Sequence, residues 1–120
     1  MKGGVSMPDL IESEEINKRI RKLKRTYKDL PKEKMLLAEP LIKNAAFMEV
    51  QLYELQRTIE QNGTHDDYQN GANQFGKKIS ADLQAYNSLI KSYNMVNQRL
   101  ENMLPEDNKT ESKLAKFKSG

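Results

Sequence analysis

The sequence predicts an all-α protein: a long antiparallel helical hairpin preceded by a short basic helix. Two apolar stretches with helical spacing, about Met35–Ile59 and Ile79–Leu104, supply the hairpin. A polar segment with two Asn-Gly pairs separates them, and a run of cations without an acid precedes them. With 120 residues the chain forms one domain at most, and a domain of that size buries roughly two-thirds of its unfolded surface. Apolar residues make up 37% and charged residues 31%, with no Trp, so a lone copy has a thin core. A second subunit would thicken it.

Residues 1–12 hold two glycines, a proline and no periodicity, and read as a flexible lead. From Ser13 the residues Ile16, Ile20, Leu23, Tyr27 and Leu30 recur at steps of four and three, one stripe of a helix spanning 13–30. Ser13 suits its N-cap, and Glu14 and Glu15 suit the positive end of its dipole. Asp29-Leu30-Pro31 breaks the pattern, and Pro31 opens a second helix. That helix runs to about Gln61 with the stripe Ala38, Leu41, Ala45, Met48, Leu52, Leu55 and Ile59, a coiled-coil period. Pro40 lies inside it, which predicts a kink or break near Leu37–Glu39. Asn62-Gly63 closes it.

Residues 64–79 are too polar and glycine-rich for helix. They read either as a short β-hairpin turning at Asn70-Gly71, with Tyr68 opposite Phe75, or as an ordinary loop. Ser80 then caps a third helix whose stripe is Leu83, Tyr86, Ile90, Tyr93, Asn97, Leu100 and Leu104, ended by Pro105. The hairpin core is thus 31–104. Residues 105–120 are charged, lack a packing stripe, and read as a disordered tail anchored only by Leu114 and Phe117.

The chemistry these residues exclude is broad. Without cysteine there are no disulfides, thiolate metal sites or cysteine nucleophiles. No run of about 20 apolar residues spans a membrane, so no membrane partner is expected. The N-terminal segment lacks the apolar middle of a signal peptide, and a cytoplasmic location is the expectation. The single histidine, His65, sits beside Asp66 and Asp67. Adjacent loop residues rarely converge on one ion, and a structural metal site needs about four ligands. Gly76-Lys77-Lys78 lacks the spacing of a phosphate loop. No serine has a histidine base in a known motif. The chain is read as a non-enzyme without catalytic residues, metal or cofactor.

The strongest chemical signal is Lys18, Arg19, Arg21, Lys22, Lys24, Arg25 and Lys28 on the first helix. Solvated helices normally mix both signs, and this one does not. Such a field points to phosphates, those of nucleic acids first. The stripes of the second and third helices pack on each other within one chain. Asn97 at a core position, with Tyr86 and Tyr93 at the seam's edge, hints at self-association as well.

From Leu30 to Pro105 the chain resembles the terminase small subunits of tailed bacteriophages with Gram-positive hosts. The residues that carry this are Leu30-Pro31-Lys32-Glu33-Lys34 and Leu41-Ile42-Lys43-Asn44-Ala45-Ala46-Phe47-Met48. After Asn62-Gly63 come Tyr68-Gln69-Asn70-Gly71, Phe75-Gly76-Lys77-Lys78, Tyr86 through Tyr93, and Leu104-Pro105. The resemblance implies a non-catalytic subunit in the host cytoplasm that forms a homo-oligomeric ring, binds viral DNA and regulates the large ATPase/nuclease subunit. It implies DNA contacts from the basic helix, aided by Lys77 and Lys78. It places oligomerisation on the hairpin, through Leu41, Ala45, Met48, Leu52, Leu55, Tyr86, Ile90, Tyr93, Asn97 and Leu100. Leu114 and Phe117 would meet the large subunit. Residues 1–30 are too short for a helix-turn-helix, so backbone contact is the expected mode. The alternative reading is a helical adaptor or inhibitor whose basic helix meets an acidic protein.

Overall fold

The structure, a computed structural model, describes residues 7–69 and 75–105, with side chains over 13–67 and 76–105. The elements are α1 (Met7–Thr26), α2 (Lys32–Asn62), β1 (His65–Gln69), β2 (Phe75–Ile79) and α3 (Ala81–Asn102). The expected helical hairpin is α2 and α3, and the expected basic helix is α1.

α1 starts at Met7, so Ser13 lies inside it and caps nothing. Pro8 and Asp9 explain the earlier start. Proline is pre-set for a first helical turn, where its missing N–H needs no partner, and acids are favoured in first turns. The helix ends at Thr26, after which the Lys28 N–H donates to Arg25 O at 3.4 Å and the Leu30 N–H to Tyr27 O at 3.1 Å. These turns fold the chain back into α2.

α2 continues through Pro40 without dividing. Proline removes the N–H that would bond the Leu36 carbonyl. Both Leu36 and Pro40 face solvent, so water can take that carbonyl. The helix closes as expected at Gly63, whose φ of 85° is open to glycine and whose N–H donates to Ile59 O at 2.7 Å. The connecting segment takes the β-hairpin alternative, but in a different register. Tyr68 pairs with Gly76 and Gln69 with Phe75, so Tyr68 does not stand opposite Phe75. The expected turn at Asn70-Gly71, the lead before Met7 and the tail with Leu114 and Phe117 lie outside the described residues. Ser80 is the expected cap of α3: its Oγ accepts from the Leu83 N–H at 3.0 Å.

Both helix pairs run antiparallel. Arg19 and Lys24 of α1 meet Glu49 and Glu39 of α2, rising in one sequence as the other falls. Gln56 and Glu49 likewise meet Tyr86 and Tyr93 of α3. The core gathers at one end, where the α1–α2 turn meets the end of α3. Tyr27, Leu30, Ala38, Ile42, Ala45, Leu100 and Leu104 are buried together there, flanked by Ile20, Leu23, Met35, Leu41, Tyr93, Val96 and Met103. Ala38, Ala45 and Ala46 are fully buried, and their small side chains let neighbouring helices come close. Ile42 and Leu100 are fully buried too, and each contributes about 1.5–3 kcal/mol of transfer free energy.

The structure places the residues expected to join copies within this single-chain packing. Ala45, Met48, Leu52 and Leu100 are buried, and Leu41, Leu55, Tyr86, Ile90, Tyr93 and Asn97 are half-buried. The Asn97 amide donates to Glu101 one turn along the same helix at 3.3 Å. No described helix is long and apolar enough to cross a membrane.

Candidate nucleic-acid interface

The stripe that buries α1 decides which of its cations face outward. Ile20, Leu23 and Tyr27 point at the hairpin, so at about 100° per residue Lys18, Arg21, Lys22 and Arg25 point away from it. All four are exposed, as is Lys28 in the following turn. The remaining two cations sit at the flanks and are held. An Arg19 Nη lies 3.2 Å from Glu49 Oε1, and Lys24 Nζ lies 3.7 Å from Glu39 Oε2. Lys18 pairs with Glu15 at 3.4 Å on the surface, a contact worth under about 1 kcal/mol. Arg21, Lys22, Arg25 and Lys28 make no ion pair with any described residue. The seven cations therefore separate into a solvent-facing ridge, an inward clamp at Arg19, and Lys24 on the flank in a looser surface pair.

Glu49 is the residue the periodicity did not single out. It accepts from the Tyr93 hydroxyl at 2.7 Å on one oxygen and from Arg19 on the other. One carboxylate thereby ties α1, α2 and α3 together and fixes the rotation of the basic helix on its scaffold. A lone acid within the apolar run Ala45 to Leu52 was the available signal. Glu39 plays a looser version of this part, bridging Lys24 and, at 4.0 Å, Lys43.

Burial, then the hydrogen bond to Glu49, hold the Tyr93 hydroxyl far above the ordinary tyrosine range. Burial, with the charge of Glu101 second, pushes Tyr27 up to about 12. A folded-state value raised above the unfolded one stabilises the fold below the unfolded value, about pH 10, and loses that contribution as pH rises through the folded value. The melting temperature should fall as pH rises from 10 toward 12. Tyr93→Phe should show a shallower fall than wild type over the same range, since it keeps the ring and lacks the proton. Melting curves at stepped pH check this, and parallel slopes for the two proteins would count against it.

Lys77 and Lys78 are not brought to this ridge. Lys77 pairs across the strands with Asp67 at 3.2 Å, and Lys78 stands opposite Asp66 in the register. The β-hairpin follows the far end of α2, about 20 Å along the helix from Glu49. The ladder thus sets the two lysines against two acids at a separate place. His65 Nδ1 lies 2.9 Å from Thr64 Oγ1, and among the described residues no group of three His, Cys, Asp or Glu side chains could hold a metal. Comparison with protein-family models, curated proteins and solved structures finds no match to this chain.

Proposed function

We propose that this chain is a non-catalytic DNA-binding subunit that self-associates, of the kind represented by phage terminase small subunits. In that reading it forms a ring in the host cytoplasm, holds the viral genome and regulates the large ATPase/nuclease subunit during packaging. The observation that carries the DNA-binding part is the outward ridge of Arg21, Lys22, Arg25 and Lys28, unneutralised among the described residues. Its chemistry suits phosphates: guanidinium groups grip oxygens in pairs, and ammonium groups act as point charges. One helix fixed by its inner face reaches a duplex through backbone contacts, without a second helix to read bases. The resemblance from Leu30 to Pro105 supplies the packaging context, and the thin core of a lone copy supports self-association.

The decisive experiment is duplex retention by the full chain over graded salt. The expected result is binding with little sequence preference and an affinity that falls linearly in log–log form with salt. Absence of duplex binding at physiological salt would end the DNA reading and point the ridge at an acidic protein. Stimulation of the large subunit's ATPase by added chain tests the regulatory part separately.

A further inference from the structure

Among the described residues, α1 covers one side of the hairpin and leaves the other bare. At about 100° per residue, Phe47, Gln51 and Leu55 point about 160° away from the side on which Glu39 and Glu49 meet α1. On that bare side a shallow groove of about 520 Å³ runs between α2 and α3, lined by Phe47, Leu55, Ala85, Ser88, Leu89 and Ser92. Leu37, five turns from Leu55 on the same line of α2, and Met95, beside Ser92 on α3, add exposed apolar side chains beyond the groove. These are large side chains left in water: Phe47 is 50% exposed, Met95 60% and Leu37 67%. Soluble chains seldom leave a continuous apolar face uncovered.

The charges at the rim identify what fits it. Lys43 and Glu54 lie on one edge of α2, eleven residues and so about three turns or 17 Å apart, at nearly the same angle. Their midpoint is level with the space between Phe47 and Gln51, about halfway along the bare face. We infer that this face receives a second copy of the same chain, face to face and antiparallel, about a two-fold axis crossing the hairpin at that midpoint. The symmetry sets Lys43 against Glu54 of the second copy and Glu54 against its Lys43, and, since Glu49 stands level with Tyr93 and Gln56 with Tyr86, brings Met95 over its Ser92. Their intrachain partners offer little competition, since Glu39 at 4.0 Å and Arg57 at 3.4 Å are contacts between exposed side chains. The face from Leu37 to Leu55 is about 27 Å long and two helices, or about 20 Å, wide. Two copies would bury about 1,100 Å² in all, just above the floor of about 1,000 Å² for a specific interface.

This inference rests on the self-association reading above and gives it a surface distinct from the basic ridge, which stays on the outside of the pair. A two-fold contact closes after two copies, so a ring would add a second contact to it.

Charge exchange tests it in the full chain. K43E and E54K alone each place like charges across the interface twice, and each should weaken pairing about tenfold or more in sedimentation equilibrium. The double variant K43E/E54K restores the opposition and should recover wild-type pairing within a few-fold. S92R, a change at an exposed groove position, should also break pairing while leaving the melting temperature and helical circular dichroism near wild type. Single variants that pair like wild type, a double variant as weak as the singles, or an S92R that pairs normally would each overturn the inference. In those cases an assembled wild type leaves self-association standing, through another face. A wild type that stays monomeric at about 100 µM removes self-association as well as this face.

Discussion

Replacing Arg21, Lys22, Arg25 and Lys28 together with glutamine is expected to lower duplex affinity about a thousandfold near physiological salt. The magnitude follows from counterion release. Each phosphate contact contributes about 0.9 to the slope of log affinity on log salt, so four lost contacts flatten it by about 3.6. Extrapolated from a molar reference to about 0.15 M, that difference amounts to about three decades. Glutamine is shorter than the replaced side chains but close to them in helix propensity, and all four point away from the core, so the melting temperature should hold. Lys77→Gln with Lys78→Gln is the matching control. Those lysines stand opposite Asp67 and Asp66 in the ladder, away from α1, and their removal should leave affinity and slope within a few-fold of wild type. Filter retention at several salt concentrations reads both numbers. A quadruple variant that binds like wild type would take the ridge out of the mechanism.

The three helices were legible because their causes are local. A stripe such as Leu83, Tyr86, Ile90 needs only a period of about 3.6 to be seen, and Ser80 and Gly63 act within one turn of themselves. Where the reading departed, the decision lay elsewhere in the chain or between two acceptable outcomes. Pro40 removes one hydrogen bond, and whether that divides a helix depends on whether water reaches the freed carbonyl. Ser13 and Pro8 both suit a helix start, and the earlier one prevails because nothing between them stops helix. The stripe residues of α2 and α3 could equally face a partner chain or each other, since periodicity defines a face and not its occupant. Glu49 shows the same limit for the site. Its two partners, Arg19 and Tyr93, lie 30 and 44 residues away in sequence, and only the packing angle of α1 brings all three together. Seven cations could be counted on the first helix, whereas their division into ridge, clamp and flank required knowing which side of α1 is buried.

Leu100→Ala carries the largest expected effect on stability. Leu100 is fully inaccessible to solvent and packs in one cluster with Tyr27 and Leu30 beyond α1, Ile42 and Ala45 of α2, and Leu104. It therefore stands where all three helices meet. Truncation removes most of a buried side chain and leaves a cavity whose walls relax only in part, a loss of about 2–5 kcal/mol. The upper half of that range is expected here. The neighbours most able to collapse inward, Ala38 and Ala45, are already at their smallest, and the backbones they hold are already close. Since a domain this size is stable by about 5–15 kcal/mol, the variant should melt far lower and unfold at much lower denaturant. The same truncation at Met95, exposed on α3, removes a side chain that already sits in water and should change monomer stability by under about 0.5 kcal/mol. The contrast between the two separates what holds one copy together from what is left for another. If both variants unfold alike, the core does not lie at the three-helix junction. If Leu100→Ala alone collapses, the junction that fixes α1 also fixes the direction in which its cations point, and DNA binding should fail with it at any temperature where the fold is lost.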